Sequence, residues 1–161
     1  MKTENTLRKR FYQTQNLKAP PEKIFQLLCP VREYEWVERW ECKMVYTNSG
    51  FAEDNCIFTT KPNNEEPEDI WVVSKYEPPR EIQFVRTNGF RVIRYNISLK
   101  PNSGGTCFAE WEQIITGLNT EGNSYVEKLV EDDFKKMIES LENMLNYYLE
   151  KGKMLKFDLE I

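Results

Sequence analysis

The end of the chain carries the feature that most restricts its fold, a long amphipathic run over residues 124–152. Its apolar side chains recur at three- and four-residue spacing, which places them on one stripe of a helix. The spacing predicts a single helix over about residues 121–152, with a capping box of Ser124 and Glu127 and a stop at Gly152. Such a stripe must be covered, and a β-sheet is the obvious partner. The apolar stripe of the helix consists of Val126, Leu129, Val130, Phe134, Met137, Ile138, Leu141, Met144, Leu145, Tyr148 and Leu149.

Most of the chain before this run is typical of short strands separated by turns. The first strand is expected near residues 6–17, and a short helix should follow it with proline in its first turn. An aromatic-rich connector with Tyr34, Trp36 and Trp40 predicts a second short helix or turn. Asn88-Gly89 is a strong hairpin signal. Six further strands are expected over residues 42–47, 55–60, 70–76, 81–86, 90–100 and 106–115.

The side-chain register is clear in one strand and open in two others. Alternation over residues 90–100 places Ile93 and Leu99 on one apolar face. In the strand over residues 70–76, the inward set is either Trp71 and Val73 or the alternate residues that begin with Ile70. If Trp111 points inward, Glu110 and Glu112 point to solvent. The reversed register would bring both carboxylates inward, where they could act as acid and base.

Composition excludes several classes of function. The chain has no histidine, so Ser-His-Asp and Cys-His triads are impossible and a catalytic zinc site is not expected. Its four cysteines form no CxxC pair, and we expect no metal, no cofactor and no catalytic residue set. A formal net charge of −4 disfavours nucleic acid as a partner. The absence of an 18-residue apolar run or a signal-like start predicts a cytoplasmic protein with no integral membrane segment.

Residues 18–28, with the sequence KAPPEKIFQLL, resemble the "APPEKVWELL" opening of the START-like superfamily. This superfamily, also called SRPBCC, includes the birch-pollen-allergen and polyketide cyclase families. The resemblance implies an α+β helix-grip fold: a curved antiparallel sheet of about seven strands, in the order β-α-α-β6-α, wrapped around a long C-terminal helix. It covers nearly the whole chain, and we expect one domain over residues 1–161.

The resemblance also implies a cavity between the sheet and the long helix. Any single aromatic residue is as readily explained by core packing as by ligand binding, so the prediction concerns the set. Strands are expected to contribute the larger part of the wall, the helix the rest, and two connector tryptophans the mouth. The predicted ligand-binding residues are Trp36, Trp40, Phe58, Trp71, Phe84, Tyr95, Trp111, Phe134, Met137, Ile138 and Leu141.

Three hypotheses of function follow, because the superfamily has no shared catalytic motif. The first is a protein that binds a small hydrophobic or amphipathic molecule, such as a lipid, polyketide or aromatic compound. The second is an enzyme of cyclase or hydratase type that uses the same cavity. The third is an interaction module like a chaperone co-activator, which predicts a filled core and an exposed apolar patch.

Two peripheral segments have simpler interpretations. The acidic stretch Glu65, Glu66, Glu68 and Asp69 matches no calcium loop and is expected to be a solvated loop. The tail over residues 153–161 has alternating apolar residues, among them Leu159 and Ile161, and is expected either to fray or to dock on a neighbouring molecule. We therefore expect a monomer or a homodimer.

Overall fold

The computed structural model describes residues 5–61 and 67–157. Glu65, Glu66, Leu159 and Ile161, which belong to the two peripheral segments, lie outside the described residues. The strands are β1 (Arg8–Leu17), β2 (Lys43–Tyr46), β3 (Ile57–Thr60), β4 (Asp69–Glu77), β5 (Glu81–Thr87), β6 (Arg91–Pro101) and β7 (Cys107–Gly117). The helices are α1 (Pro21–Leu27), a 3-10 turn (Glu33–Glu35), α2 (Thr120–Lys128) and α3 (Glu131–Lys151).

The strands form one antiparallel seven-stranded sheet in the order β1-β7-β6-β5-β4-β3-β2. Consecutive strands from β2 to β7 are neighbours, and β1 closes against β7. The Asn88-Gly89 hairpin joins β5 to β6, with Gly89 at φ +88°, a region that favours glycine. The predicted α+β architecture, with one strand, two short helical segments and six further strands, is therefore confirmed.

Alternating burial shows which face of the sheet points inward. On β6, Ile93, Tyr95, Ile97 and Leu99 are buried while the residues between them are half-buried. On β4, Trp71 and Val73 point inward and Ile70 is 49% exposed. The register of β4 against β5 then shifts between Val73 and Lys75, and this irregularity brings Tyr76 back towards the core.

Trp111 on β7 also points inward, which decides the placement of the two acidic residues beside it. Glu110 accepts a hydrogen bond from Lys100 at 2.9 Å, and Glu112 accepts one from Arg94 at 2.5 Å. Both carboxylates lie on the outer face of the sheet. The alternative in which they enter the cavity as an acid–base pair is therefore wrong.

The prediction of one unbroken C-terminal helix is wrong, because Leu129 and Val130 are extended and divide it into α2 and α3. The Lys9 ammonium group donates to the carbonyl oxygens of Glu127 (2.9 Å) and Leu129 (2.6 Å), and so satisfies the end of α2. Three acidic residues, 131–133, occupy the first turn of α3, where the helix dipole favours them.

The end of this helical region agrees with the prediction, and its start does not. Gly152 ends α3 in the left-handed conformation, as predicted. The start differs, because Asn119 caps α2 by accepting a hydrogen bond from the Gly122 amide at 2.9 Å. Ser124 lies within α2, so the capping box of Ser124 and Glu127 is wrong.

Helix α3 packs along β1, and α2 packs on β7. Polar side chains join α3 to the edge of β1: the Lys18 amide donates to Asn146 Oδ1 at 2.9 Å, and Asn146 Nδ2 donates to the Asn16 carbonyl at 2.9 Å. The buried Gln15 side chain donates to the Ile138 carbonyl at 2.9 Å. These bonds fix α3 beside β1. Helix α1 packs further along the inward face, where the ring of Phe25 lies 5.3 Å from that of Tyr76 on β4. None of the helices in the described residues is long and apolar enough to cross a bilayer.

Candidate ligand cavity between the sheet and helix α3

A cavity of about 200 Å³ lies where the inward face of the middle strands meets α3. Three parts of the chain form its wall: the sheet, one side of α3, and the connector between α1 and β2. It is lined by Phe58, Trp71, Phe84, Arg86, Tyr95, Ile97 and Trp111 from the sheet, by Met137 and Leu141 from α3, and by Pro30, Glu33, Val37 and Trp40 from the connector.

The sheet side of the wall is a cluster of packed aromatic rings around Trp71. The ring of Trp71 stacks between Phe58, at 5.3 Å between centroids, and Tyr95, at 5.8 Å. Phe84 meets Trp71 edge-on at 6.0 Å. Such offset and edge-on contacts hold aromatic rings in fixed positions. The wall is therefore preformed and presents flat apolar surfaces.

The polar atoms of these aromatic residues are already satisfied. The indole nitrogen of Trp71 donates to Thr60 Oγ1 at 2.9 Å, and that of Trp111 donates to Gln15 Oε1 at 2.9 Å. The Tyr95 hydroxyl accepts a hydrogen bond from Gln113 Nε2 at 3.0 Å. Buried polar atoms that have partners contribute to the packing of the core, so specific recognition has to come from other groups.

The connector wall is held by hydrogen bonds within the connector itself. The Trp40 indole donates to the Pro30 carbonyl at 2.8 Å. The Tyr34 hydroxyl both donates to the Cys42 carbonyl and accepts from the Cys42 amide, each at 2.9 Å. These contacts join the start of the connector to its end and keep Trp40 against the cavity.

Glu33 brings a carboxyl group to this apolar wall. The residue is half-buried, and its side chain makes no hydrogen bond or ion pair with another described residue. Burial raises the pKa of this carboxyl from its ordinary value of 4.5 to about 8. An apolar surrounding disfavours the charged form of an acid, so Glu33 is mainly protonated at neutral pH. A raised pKa of this kind in a cavity is typical of functional acids.

Arg86 brings a guanidinium group to the same cavity. It lies over the ring of Trp71 at 4.8 Å and over that of Tyr95 at 5.8 Å. Its Nε is 3.3 Å from Asp69 Oδ2, but the angle does not make a hydrogen bond, and this buried nitrogen has no other partner among the described residues. Glu33 and Arg86 are therefore the two ionisable residues of the wall whose polar atoms are incompletely used.

The structure brings most of the predicted cavity residues together. Trp40, Phe58, Trp71, Phe84, Tyr95, Trp111, Met137 and Leu141 line the cavity. Trp36, Phe134 and Ile138 do not line it and pack elsewhere in the core. Trp36 is 1% exposed and donates to the Leu27 carbonyl, so it anchors the connector instead of standing at the mouth. Phe134 stacks on Phe11 at 5.8 Å.

The sequence prediction missed Glu33 and Arg86, together with Pro30, Val37 and Ile97. For Arg86 a signal was available, because it follows Ile82 and Phe84 at two-residue spacing on β5 and must share their face. Glu33 lies in the 3-10 turn, where no periodicity indicates the direction of a side chain.

A larger concavity of about 380 Å³ lies between α1 and the segment before β3. It is lined by Phe25, Gln26, Cys29, Arg32, Ser49, Phe51, Ala52, Tyr76 and Ile82. Its described lining includes no residue of α3 and no carboxyl group. We therefore take the smaller cavity, with its aromatic wall and its two ionisable residues, as the candidate site.

Metal and thiol chemistry find no support in the described residues. Within residues 5–61 and 67–157, no three cysteine or acidic side chains lie close enough together to hold a metal ion. The cysteines are free, and burial raises the pKa of the thiols of Cys42, Cys56 and Cys107. Thiols with a raised pKa are poor nucleophiles.

No protein-family model matches this chain, and no curated protein sequence matches it. Solved structures do. A truncated norcoclaurine synthase from Thalictrum flavum matches with a TM-score of 0.66 at 12% identity, over 95% of this chain and 100% of that one. A hypothetical protein from Helicobacter pylori matches with a TM-score of 0.66 at 10% identity, over 87% of each chain. CalU16 from Micromonospora echinospora matches with a TM-score of 0.59 at 15% identity, over 93% of this chain and 86% of that one.

These likenesses, all at low identity, concern the arrangement of the backbone and leave the activity open. They agree with the sheet order, the long α3 and the short helical segments after β1 described above. The chain therefore has the helix-grip fold, as the sequence predicts.

Proposed function

We propose that this protein binds a small hydrophobic or amphipathic molecule in the cavity between the sheet and α3. The observation that carries the proposal is the aromatic wall around Trp71, which surrounds space that no side chain fills. Ligand sites are mostly apolar concavities with a few placed polar groups, and Glu33 and Arg86 match that description. An empty cavity also favours ligand binding over an interaction module with a filled core.

The size of the cavity favours a compact ring compound over a long acyl chain. About 200 Å³ is below the usual range for drug-sized ligands, which begins at about 300 Å³. A structure of norcoclaurine synthase from Thalictrum flavum, similar to this chain with a TM-score of 0.61 at 13% identity, holds dopamine and hydroxybenzaldehyde. Both are single-ring aromatic compounds, and that similarity supports the same ligand class here.

The tryptophan residues allow a test that reports both binding and its location. We expect 2-naphthol or cinnamyl alcohol to shift the indole N–H resonances of Trp40, Trp71 and Trp111 in a two-dimensional NMR titration. The resonance of Trp36, which lies outside the cavity, should stay in place. Native mass spectrometry of the purified protein, followed by extraction, would identify any molecule that it carries from its source.

A cavity-filling variant supplies the control for this titration. Leu141→Trp places a large side chain on the wall and should abolish the shifts of Trp40 and Trp71. Val130→Trp adds the same side chain at a 51% exposed position between α2 and α3 and should leave binding intact. Failure of every aromatic probe to bind, neutral or acidic, or equal binding by both variants, would contradict the proposed function.

A second function is favoured by Glu33. Because this carboxyl is mainly protonated at neutral pH and faces an apolar cavity, it has the properties of a general acid or base. The alternative is therefore an enzyme of cyclase or hydratase type. Once a ligand is known, Glu33→Gln should retain its binding and lose its turnover. A variant that kept full turnover would exclude Glu33 as the acid.

A further inference from the structure

The chemistry of Arg86 suggests which class of ring compound the cavity takes, a question that rests on the proposed function. A guanidinium group has five N–H donors, arranged to match a carboxylate. None of those of Arg86 makes a hydrogen bond with another described residue, and its buried Nε is unsatisfied. A buried donor without a partner is costly, so this group is poised for an acceptor that a ligand would bring.

Asp69, the acidic residue that contacts Arg86 within the described residues, is already engaged by another arginine. Asp69 Oδ1 accepts a hydrogen bond from Arg91 Nη1 at 3.0 Å, and Asp69 Oδ2 accepts one from Arg91 Nη2 at 3.3 Å. This two-pronged pair occupies the carboxylate in the geometry that arginine prefers. Arg86 therefore contacts Asp69 through its Nε alone, at 3.3 Å and without a hydrogen bond.

The rest of the wall does not oppose a negatively charged ligand. Glu33 is mainly uncharged at neutral pH, because burial raises the pKa of its carboxyl to about 8. At neutral pH, Arg86 is therefore the only side chain among the described lining residues that is mainly charged. Its stacking over Trp71 and Tyr95 holds the guanidinium beside the flat rings. A planar ligand resting on those rings would carry an acidic substituent into reach of Arg86.

We infer that the cavity takes a planar aromatic compound that bears a carboxylate or a comparable acidic oxygen, which Arg86 binds. The ring system supplies the apolar contact with the aromatic wall, and the anion completes the hydrogen bonds of the guanidinium. No bond is made or broken in this recognition step.

The test compares two probes of the same shape, trans-cinnamate and trans-cinnamamide, which differ in charge. At pH 7 we expect the full chain to bind cinnamate about tenfold or more tightly than cinnamamide, because hydrogen bonds to charged groups are among the strongest. The shifts should again move the indole resonances of Trp40, Trp71 and Trp111. Arg86→Met should reduce the affinity for cinnamate to that for cinnamamide.

Arg94→Met is the matched control, because it removes the same charge from the outer face of the sheet, where Arg94 pairs with Glu112. It should leave the preference for cinnamate unchanged. Equal affinities of the unaltered protein for the two probes would overturn the inference, and so would a preference that survives in Arg86→Met. The comparison of cinnamate with cinnamamide in the unaltered protein needs no variant. It therefore tests the inference even if Arg86→Met does not fold.

The neutral probes separate this inference from the proposed function. Binding of 2-naphthol with no preference for cinnamate would overturn the inference alone. Failure of 2-naphthol, cinnamyl alcohol and both cinnamic compounds to bind would overturn the proposed function and the inference together.

Discussion

The inward face of the sheet is packed differently at its two sides. Where β1 and β7 meet α2 and α3, which we call the closed half, apolar side chains fill the space and Phe11 stacks on Phe134. Its buried polar residue Gln15 has partners on both the sheet and the helix. Where β3 to β6 face the connector, which we call the open half, a cavity remains and Glu33 and Arg86 have unused polar atoms.

Under the proposed function, this difference divides stability and ligand recognition between different parts of one sheet. A filled, hydrogen-bonded region contributes most to the free energy of unfolding. A cavity whose polar groups lack hydrogen-bond partners lowers that free energy, and under the proposed function a ligand would offset this cost. Substitutions that exchange these properties test the distinction most directly.

The largest expected effect comes from two truncations on neighbouring turns of α3. Ile138→Ala removes a fully buried side chain from the closed half and should lower the free energy of unfolding by about 3 kcal/mol. Leu141→Ala enlarges the cavity of the open half and should cost about 1 kcal/mol, because Leu141 is only half-buried. Urea denaturation measures both values. Equal losses would show that the two halves contribute alike.

A smaller effect is expected when the polar link of the closed half is removed. Gln15→Leu leaves the indole nitrogen of Trp111 without a partner and releases the bond to the Ile138 carbonyl, so it should cost about 2 kcal/mol. Gln13→Leu is the control, because Gln13 lies two residues away on the same face and is only half-buried. If urea denaturation shows the same loss for the two variants, the hydrogen bonds of the Gln15 side chain do not contribute to the free energy of unfolding.

The smallest effect is expected for a substitution in the open half, and it should raise the free energy of unfolding where the other substitutions lower it. Because the pKa of Glu33 is about 8 in the folded protein and ordinarily 4.5, the folded state retains a proton that the unfolded chain releases between these values. Stability is therefore lost as the pH rises through this window. Glu33→Gln does not titrate, and it should be more stable than the unaltered protein by about 1 kcal/mol at pH 8.5 and no more stable at pH 4.

Glu35 provides the control for this pH series. Its carboxylate accepts hydrogen bonds from Arg32 and from the Tyr148 hydroxyl, and the Arg32 bond lowers the pKa of Glu35. Its contribution is therefore lost as the pH falls, and Glu35→Gln should not become relatively more stable as the pH rises. Thermal unfolding from pH 4 to 9 follows both variants. The Cys42 thiol, which interacts electrostatically with Glu33, stays protonated in the folded protein over this range, because burial raises its pKa above 9.0. Parallel curves for the two variants would contradict the assigned burial of Glu33.

The features predicted well from the sequence are those set by periodicity. Alternation from Ile93 to Leu99 predicted the inward face of β6. For Trp111 and Glu112 the same rule left two registers open, and the structure shows the one with Trp111 inward. The division of the C-terminal helix was missed because the apolar spacing continues through Leu129 and Val130. The break depends on Lys9, which reaches its carbonyls from a strand far away in sequence. A local pattern cannot contain such a contact.

The candidate site was predicted in its apolar part and missed in its polar part for a related reason. Aromatic residues on an inward strand face either fill the core or line a cavity, so most of the predicted set had to lie near the site. The pKa of Glu33 and the unused donors of Arg86 depend on what lies opposite them across the cavity. That information exists only in the folded arrangement.

The connector between α1 and β2 has a consequence for how the binding chemistry of this protein can change. Its ends are joined by the Tyr34–Cys42 and Trp40–Pro30 hydrogen bonds, and Trp36 anchors it to the end of α1. It takes no part in the ladder of the sheet, whose pairing in β2 begins at Lys43. Residues at positions 33 and 37, which line the cavity, can therefore be substituted without a change in strand register. Under the proposed function, such substitutions would alter the ligand preference while the fold is kept.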